Sequence, residues 1–432
     1  MRTKTRTVSV FFLILLLCTG ACFSASCNSH KNTPEVIDGV SDTKEHASSL
    51  PRSSSASGET EAPEGESPMS PSEETTAPVP ETTKPYVEPT SVRILAIGDM
   101  LMHAGISHRA SLPDGGYDYS YLFDNIREDL QSADLRIVNN EVIFGGDELG
   151  PVGYPLFSVP TALGDSERAE GFNVILGATN HSNDQGPQGI LNTLNYWSQF
   201  PEVTLLGLHA SQEAYDEPTI IEKNGIRIGL INLTYGLNMQ ILEPENQYLV
   251  EMMTQENRYR IADKIRRTKE NSDFVIVFPH WGEEHELTHN QNQQEWAEFF
   301  AEFGADLIIG SHTHTVQESE WVTAWNGNSA YCVYSLGNFV SLQAMTINMV
   351  GKMPIITILK DTDGCRIVET RNEYLMTWFS QGFGDIRVYK MNQVTEEILA
   401  EDAVVGSVDN PYYNEMNQYF PLTMDVLHSL CK

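Results

Sequence analysis

Five short apolar runs recur along the chain, and each ends in polar residues of a restricted kind. RILAI leads to Gly98-Asp99, LRIVN to Asn140-Glu141, and FNVIL to Asn180-His181; FVIVF leads to His280, and DLIIG to Ser311-His312-Thr313-His314. Runs this short, apolar at consecutive positions, read as strands buried on both faces. Amphipathic stretches separate them. Ile261 and Ile265 recur at helical spacing ahead of FVIVF, and Trp296, Phe299, Phe300 and Phe303 do so ahead of DLIIG, with Gly304 as the predicted helix stop. Helix alternating with buried strand predicts an α/β fold. It also places the polar ends together at the carboxyl edge of the strands, where ligands gather in such folds.

The side chains at those ends form a chemically coherent set. Asp99, Glu141, Asn180, His280, His312 and His314 offer carboxylate, amide oxygen and imidazole, donors that suit divalent Mn, Fe, Zn or Mg. Two such ions close together polarise a phosphoryl group and generate a hydroxide nucleophile. His181 beside them is the candidate for protonating a leaving oxygen. Each residue alone has an ordinary reading as well: Asp99 as a turn cap, Glu141 as a solvated loop acid, His280 as a core histidine. The repetition at matching strand ends, and the His312/His314 pair, carry the metal reading. His108, His209, His285 and His289 lack that context and read as structural or surface positions.

Outside these runs the chain divides by composition. The basic MRTKTRT precedes the apolar VSVFFLILLL, which is too short to cross a bilayer of roughly 30 Å, and CTGACFSASC follows. Residues 1–27 therefore read as a lipoprotein-type signal peptide, with Cys22 or Cys27 as the lipidated residue, membrane attachment through that lipid, and plain secretion as the alternative. Residues 28–90, rich in Ser, Pro, Thr and Glu, bury too little apolar surface to offset ordering and read as a disordered tether. The folded domain is expected over 91–360. Residues 361–432 form a C-terminal extension that completes or caps it, beginning with a hairpin turn at Asp363-Gly364.

A formal net charge of -32 argues against a nucleic-acid partner and against docking on acidic lipid by charge. A polyanionic substrate would have to be attracted by buried cations instead. Cys332, Cys365 and Cys431 make neither a disulfide framework nor a zinc motif.

The ordered set GD (98–99), NNE (139–141), NHSND (180–184), HWGEE (280–284), GSHTHTVQ (310–317) and YSLGNFV (334–340) resembles the CapA family of poly-γ-glutamate capsule biosynthesis proteins, relatives of the metallophosphoesterases. The resemblance implies a metallophosphoesterase-like sandwich, two β-sheets flanked by helices. It implies Asp99, Glu141, Asn180, His280, His312 and His314 as ligands of two divalent ions, Asp99 as the bridge between them, and His181 as the residue assisting the leaving group. The chain departs from the wider phosphoesterase pattern in two places and from the family's own motifs in two more. Met100 and Leu101 follow Asp99 where Asp-x-His is usual, and His103, two positions late, has no assignable role. Glu141 stands where an aspartate is usual; within the family's own motifs, Thr313 replaces a proline and Thr179 the first asparagine of N-N-H.

The expected partners are poly-γ-glutamate or a phosphoester substrate, and a membrane capsule-synthesis complex. Three functions are compatible with these readings: an extracytoplasmic metal-dependent hydrolase, a component of poly-γ-glutamate capsule synthesis or export, and a scaffold on the same fold without catalysis.

Overall fold

A computed structural model describes residues 86–238, 241–406 and 422–432. The expected signal peptide, with Cys22 and Cys27, and nearly all of the expected tether lie outside the described residues, as does the polar aromatic stretch 410–420. Each of the five apolar runs forms a strand. In chain order the strands are β1 (Thr90–Met100), β2 (Leu135–Asn139), β3 (Val174–Leu176), β4 (Thr204–Leu206), β5 (Thr219–Lys223), β6 (Ile226–Thr234) and β7 (Phe274–His280). They continue with β8 (Leu307–Ile309), β9 (Ser319–Thr323), β10 (Ser329–Val333), β11 (Asn338–Val340), β12 (Val350–Asp361), β13 (Gly364–Phe379) and β14 (Ile386–Lys390).

Two sheets result. One runs β14-β13-β12-β1-β2-β3-β4, with β11 also pairing β1; the other runs β5-β6-β7-β8-β10-β9. The pairs β1–β2, β2–β3, β6–β7 and β7–β8 are parallel, so the polar strand ends lie on one edge of each sheet. The β12–β13 hairpin turns after Asp361, and β13 and β14 extend the first sheet, each antiparallel to the strand before it, so residues beyond 360 are part of that sheet.

Strand alternation builds the layers. On β1, Ile94 and Ala96 face a core shared with Ile276 and Phe278 of β7, between the sheets. Leu95 and Ile97 face the opposite way, into a core with Ile106, Leu130, Leu163 and Trp197. On β7, Val275 and Val277 face the helices Arg258–Asn271 and Gln291–Phe303, against Ile261, Ile265, Trp296 and Phe300. The molecule is therefore a two-sheet sandwich flanked by helices. The second of these helices starts on a capping box of Asn290 and Gln293, and Gly304 ends it in the left-handed region, φ 116°.

Asn232 of β6 ties the sheets together beneath the polar edge. Its side-chain oxygen accepts from the Ala178 N–H (2.8 Å), and its amide donates to the Phe278 carbonyl (2.9 Å). That seats the loop after β3, which carries Asn180 and His181, against the end of β7.

Candidate metal centre

Asp99 ends β1 between two asparagines. It lies in register with Asn139 on β2 and with Asn338 on β11. Asn139 Nδ2 donates to Asp99 Oδ1 (2.8 Å), and the backbone N–H of His312 approaches Asp99 Oδ2 (3.3 Å). The loop after β8 brings His312 and His314 in with left-handed backbone at both, φ 96° and 58°. For residues bearing a Cβ that conformation costs roughly 1–2 kcal/mol each, and such strain concentrates at functional sites.

The buried side chains assemble into two groups, Glu141 with His280 and His312, and Asp99 with Glu141 and His314; within each group the ligand atoms all lie within 4.8 Å of one another. Asn180 joins the first, its Oδ1 2.8 Å from His280 Nε2. Ser311 Oγ, 3.0 Å from His280 Nδ1, orients that ring from behind. In the second group His314 Nδ1 lies 3.1 Å from Asp99 Oδ2.

The resemblance put Asp99 between two ions, but Glu141 is the carboxylate common to both groups. The reason is reach. Asp99 is held at the end of its strand by Asn139, whereas Glu141 lies beyond the end of β2 on a side chain one methylene longer. Its oxygens extend to 3.5 Å from His280 Nε2 and 3.7 Å from His314 Nδ1.

The donor set fits divalent metal. Both Glu141 oxygens and His312 Nδ1 are buried without a hydrogen-bond partner, and such groups are costly unless something binds them. Burial pushes the Glu141 carboxyl up to about 8 and holds the His280 imidazole down at about 3. The His312 imidazole is likewise held well below its usual range by burial, with neighbouring imidazoles adding to the effect. Burial also disfavours the His314 cation, but Glu141 and Asp99 outweigh it and carry that group up to about 9. Neutral imidazoles at His280 and His312 suit metal binding. A cation favoured at His314 marks a spot where the carboxylates call for positive charge.

His181 borders this centre. Its Nδ1–H donates to Asp184 Oδ2 (2.7 Å), which also accepts from the Phe157 N–H (2.7 Å). Its Nε2 accepts from Asn238 Nδ2 (3.3 Å), and the same asparagine's oxygen accepts from Asn180 Nδ2 (3.2 Å). Several neighbours were not singled out by the sequence pattern. Tyr235 stands with its ring 4.6 Å from that of His312, and His285, read as structural or surface, has its ring 6.2 Å from that of His314. Asn338 and Asn238 belong here too. Asn338 carried a signal, since it lies in the quoted YSLGNFV. Tyr235 and Asn238 follow β6, whose end has no histidine or carboxylate to mark it. His209 instead joins a buried ion cluster with Glu251, and His289 stacks on Tyr334 at 3.9 Å.

Residues 93–343 match the family model described as bacterial capsule synthesis protein PGA_cap. The chain is 29% identical over 176 residues to the PGA biosynthesis protein CapA of Bacillus subtilis (strain 168), a match covering 40% of this chain and 44% of that one. It is 29% identical over 179 residues to the capsule biosynthesis protein CapA of Bacillus anthracis, covering 41% and 42%. The matched region thus spans less than half the length of these curated relatives. Among solved structures, a novel phosphatase from Mycoplasma pneumoniae is similar at TM-score 0.41 and 14% identity, covering 66% of this chain and 94% of that one. A dimetal phosphatase from Danio rerio is similar at TM-score 0.35 and 10% identity, covering 65% and 98%.

Proposed function

Since the chain belongs to the bacterial capsule synthesis protein PGA_cap family, we propose that it serves the synthesis or export of a poly-γ-glutamate capsule through a two-ion centre able to support phosphoesterase-like hydrolysis. The observation that carries this reading is the pair of buried groups sharing Glu141, whose two oxygens have no hydrogen-bond partner. Asp99, Glu141 and His314 would hold one ion; Glu141, Asn180, His280 and His312 the other. Divalent ions there supply Lewis acidity toward a substrate oxygen.

The chain's own residues do the rest. Asp184 and Asn238 hold the His181 ring through its two nitrogens, and His181 Nε2 would exchange a proton with a leaving oxygen that takes the place of the Asn238 amide. Tyr235 and His285 flank His312 and His314. A chain of net charge -32 repels a polycarboxylate at long range. Recognition of γ-linked glutamate therefore depends on the cations, and a phosphoester would be drawn in the same way. The working location is the outer face of the membrane, with Cys22 or Cys27 lipidated, beside other capsule-synthesis proteins.

The test is binding and turnover by the full-length chain with manganese and with chelator. A γ-linked glutamate oligomer is expected to bind with manganese and to lose at least tenfold in affinity with chelator or in His312→Ala. Hydrolysis of the polymer or of a phosphoester is expected to fall by about 10²–10⁴-fold in His181→Ala, with metal content unchanged. Metal-independent polymer binding with no turnover would leave a scaffold on this fold.

A further inference from the structure

Resting on the two-ion reading above, we propose that Asn338 is the fourth protein ligand of the Asp99 group, in the place left by the absent Asp-x-His histidine. Counting only carboxylates and imidazoles, the two groups have three donors each, and the amides make the difference. The His280 group also has the amide oxygen of Asn180, whereas the other has Asp99, Glu141 and His314 alone. His103, the nearest histidine in sequence, does not make up the difference. It belongs to neither group, and its Nδ1 faces the backbone of Leu101 and Leu342, bonding to one or the other according to tautomer.

Asn338 is delivered by backbone pairing. It lies in register with Asp99 across the parallel β1–β11 pair, and the Asp99 N–H donates to the Gly337 carbonyl (3.0 Å). Gly337 has φ 66°, and Gly98 leaves no room for a Cβ against that same carbonyl, so the two strands approach closely because both positions are glycine. Asn338 Oδ1 then lies 3.0 Å from His314 Nδ1, the nitrogen that also faces Asp99 Oδ2 at 3.1 Å and Glu141 Oε2 at 3.7 Å. Three oxygens converge on one nitrogen, each from a different segment of chain.

The amide is held with its oxygen inward. Its Nδ2 faces Ser341 Oγ (3.0 Å), Gln343 Oε1 (2.9 Å) and the Asn348 carbonyl (3.0 Å). A main-chain carbonyl can only accept, so the nitrogen must lie on that side. Asn180 shows the same arrangement in the other group: oxygen 2.8 Å from the His280 nitrogen, amide nitrogen held behind by Asn238. With Asn338 counted, each group has four protein donors, two of them oxygens beside Glu141's own or an imidazole pair, a number sufficient for a closed tetrahedral site or for a larger shell completed by solvent.

The experiment is calorimetric titration of the chelator-stripped full-length chain with manganese, for wild type, Asn338→Ala and the milder Asn338→Ser, neither of whose side chains reaches His314. Circular dichroism melts without metal establish that each variant is folded. The expected result is two binding events in wild type, with one of them weakened by about tenfold to a hundredfold in the folded variants and the other unchanged. Two events of wild-type affinity in either variant would overturn the assignment. So would equal weakening of both events accompanied by a lowered melting temperature, which is the mark of a purely structural residue. Failure of wild type itself to take up manganese would instead bring down the two-ion reading, and this assignment with it.

Discussion

Charge at single residues divides this molecule into two kinds of buried site. At the candidate metal centre, Glu141 has no hydrogen-bond partner and is pushed up by burial. Glu251, equally buried, is fully satisfied: Lys264 Nζ (2.7 Å), His209 Nε2 (3.1 Å) and Arg260 all reach it. Burial would raise its carboxyl, but His209, Lys264 and Arg260 outweigh that and hold it down at about 2, against an ordinary 4.5. A depressed acid stabilises the fold fully above its unfolded value, so this contribution is complete above pH 4.5 and drains away as the pH falls toward 2. Glu251→Gln leaves two cations facing a neutral amide and is expected to cost about 3–5 kcal/mol at neutral pH. Denaturant unfolding should show that loss at pH 7 and a much smaller one near pH 2. An unchanged difference between the two pH values would contradict the cluster's role. None of this cluster was legible beforehand, because Glu251, His209 and Lys264 are far apart in sequence and share no motif. The candidate metal ligands could be read from sequence because each follows an apolar run.

Among the elements, the motif glycines fix how close β1 and β11 come. A Cβ at Gly98 would run into the Gly337 carbonyl oxygen, to which the Asp99 N–H is bonded. Gly98→Ala must therefore part the strands, with an expected cost of about 1–3 kcal/mol and weaker metal retention, since Asp99 and Asn338 ride on that pairing. A melting temperature and metal content equal to wild type would refute this. The strands β1, β2, β3, β7 and β8 and the helix ending at Gly304 were all visible in the apolar pattern. The strands β4 to β6 and β9 to β11 were not. Thr204–Leu206 and Asn338–Val340 are only three residues long, too short to show a period, and their existence depends on neighbours distant in sequence. Which carboxylate is common to both groups was not legible either, because that rests on side-chain reach across two strand ends.

Across the whole molecule, two sheets with a shared apolar core bring their polar edges to one place, and the cluster of Asp99, Glu141, Asn180, His280, His312 and His314 draws on both. Asn232 fastens that junction, and Glu141 is where the two ligand groups meet. The two-ion centre therefore depends most on Glu141. The decisive measurement is the number of transition-metal ions per full-length chain, by elemental mass spectrometry after equilibration with manganese, for wild type and Glu141→Gln. The account predicts two ions in wild type and fewer than one in the variant, because a single substitution removes the carboxylate from both groups. Two ions retained by Glu141→Gln would contradict it.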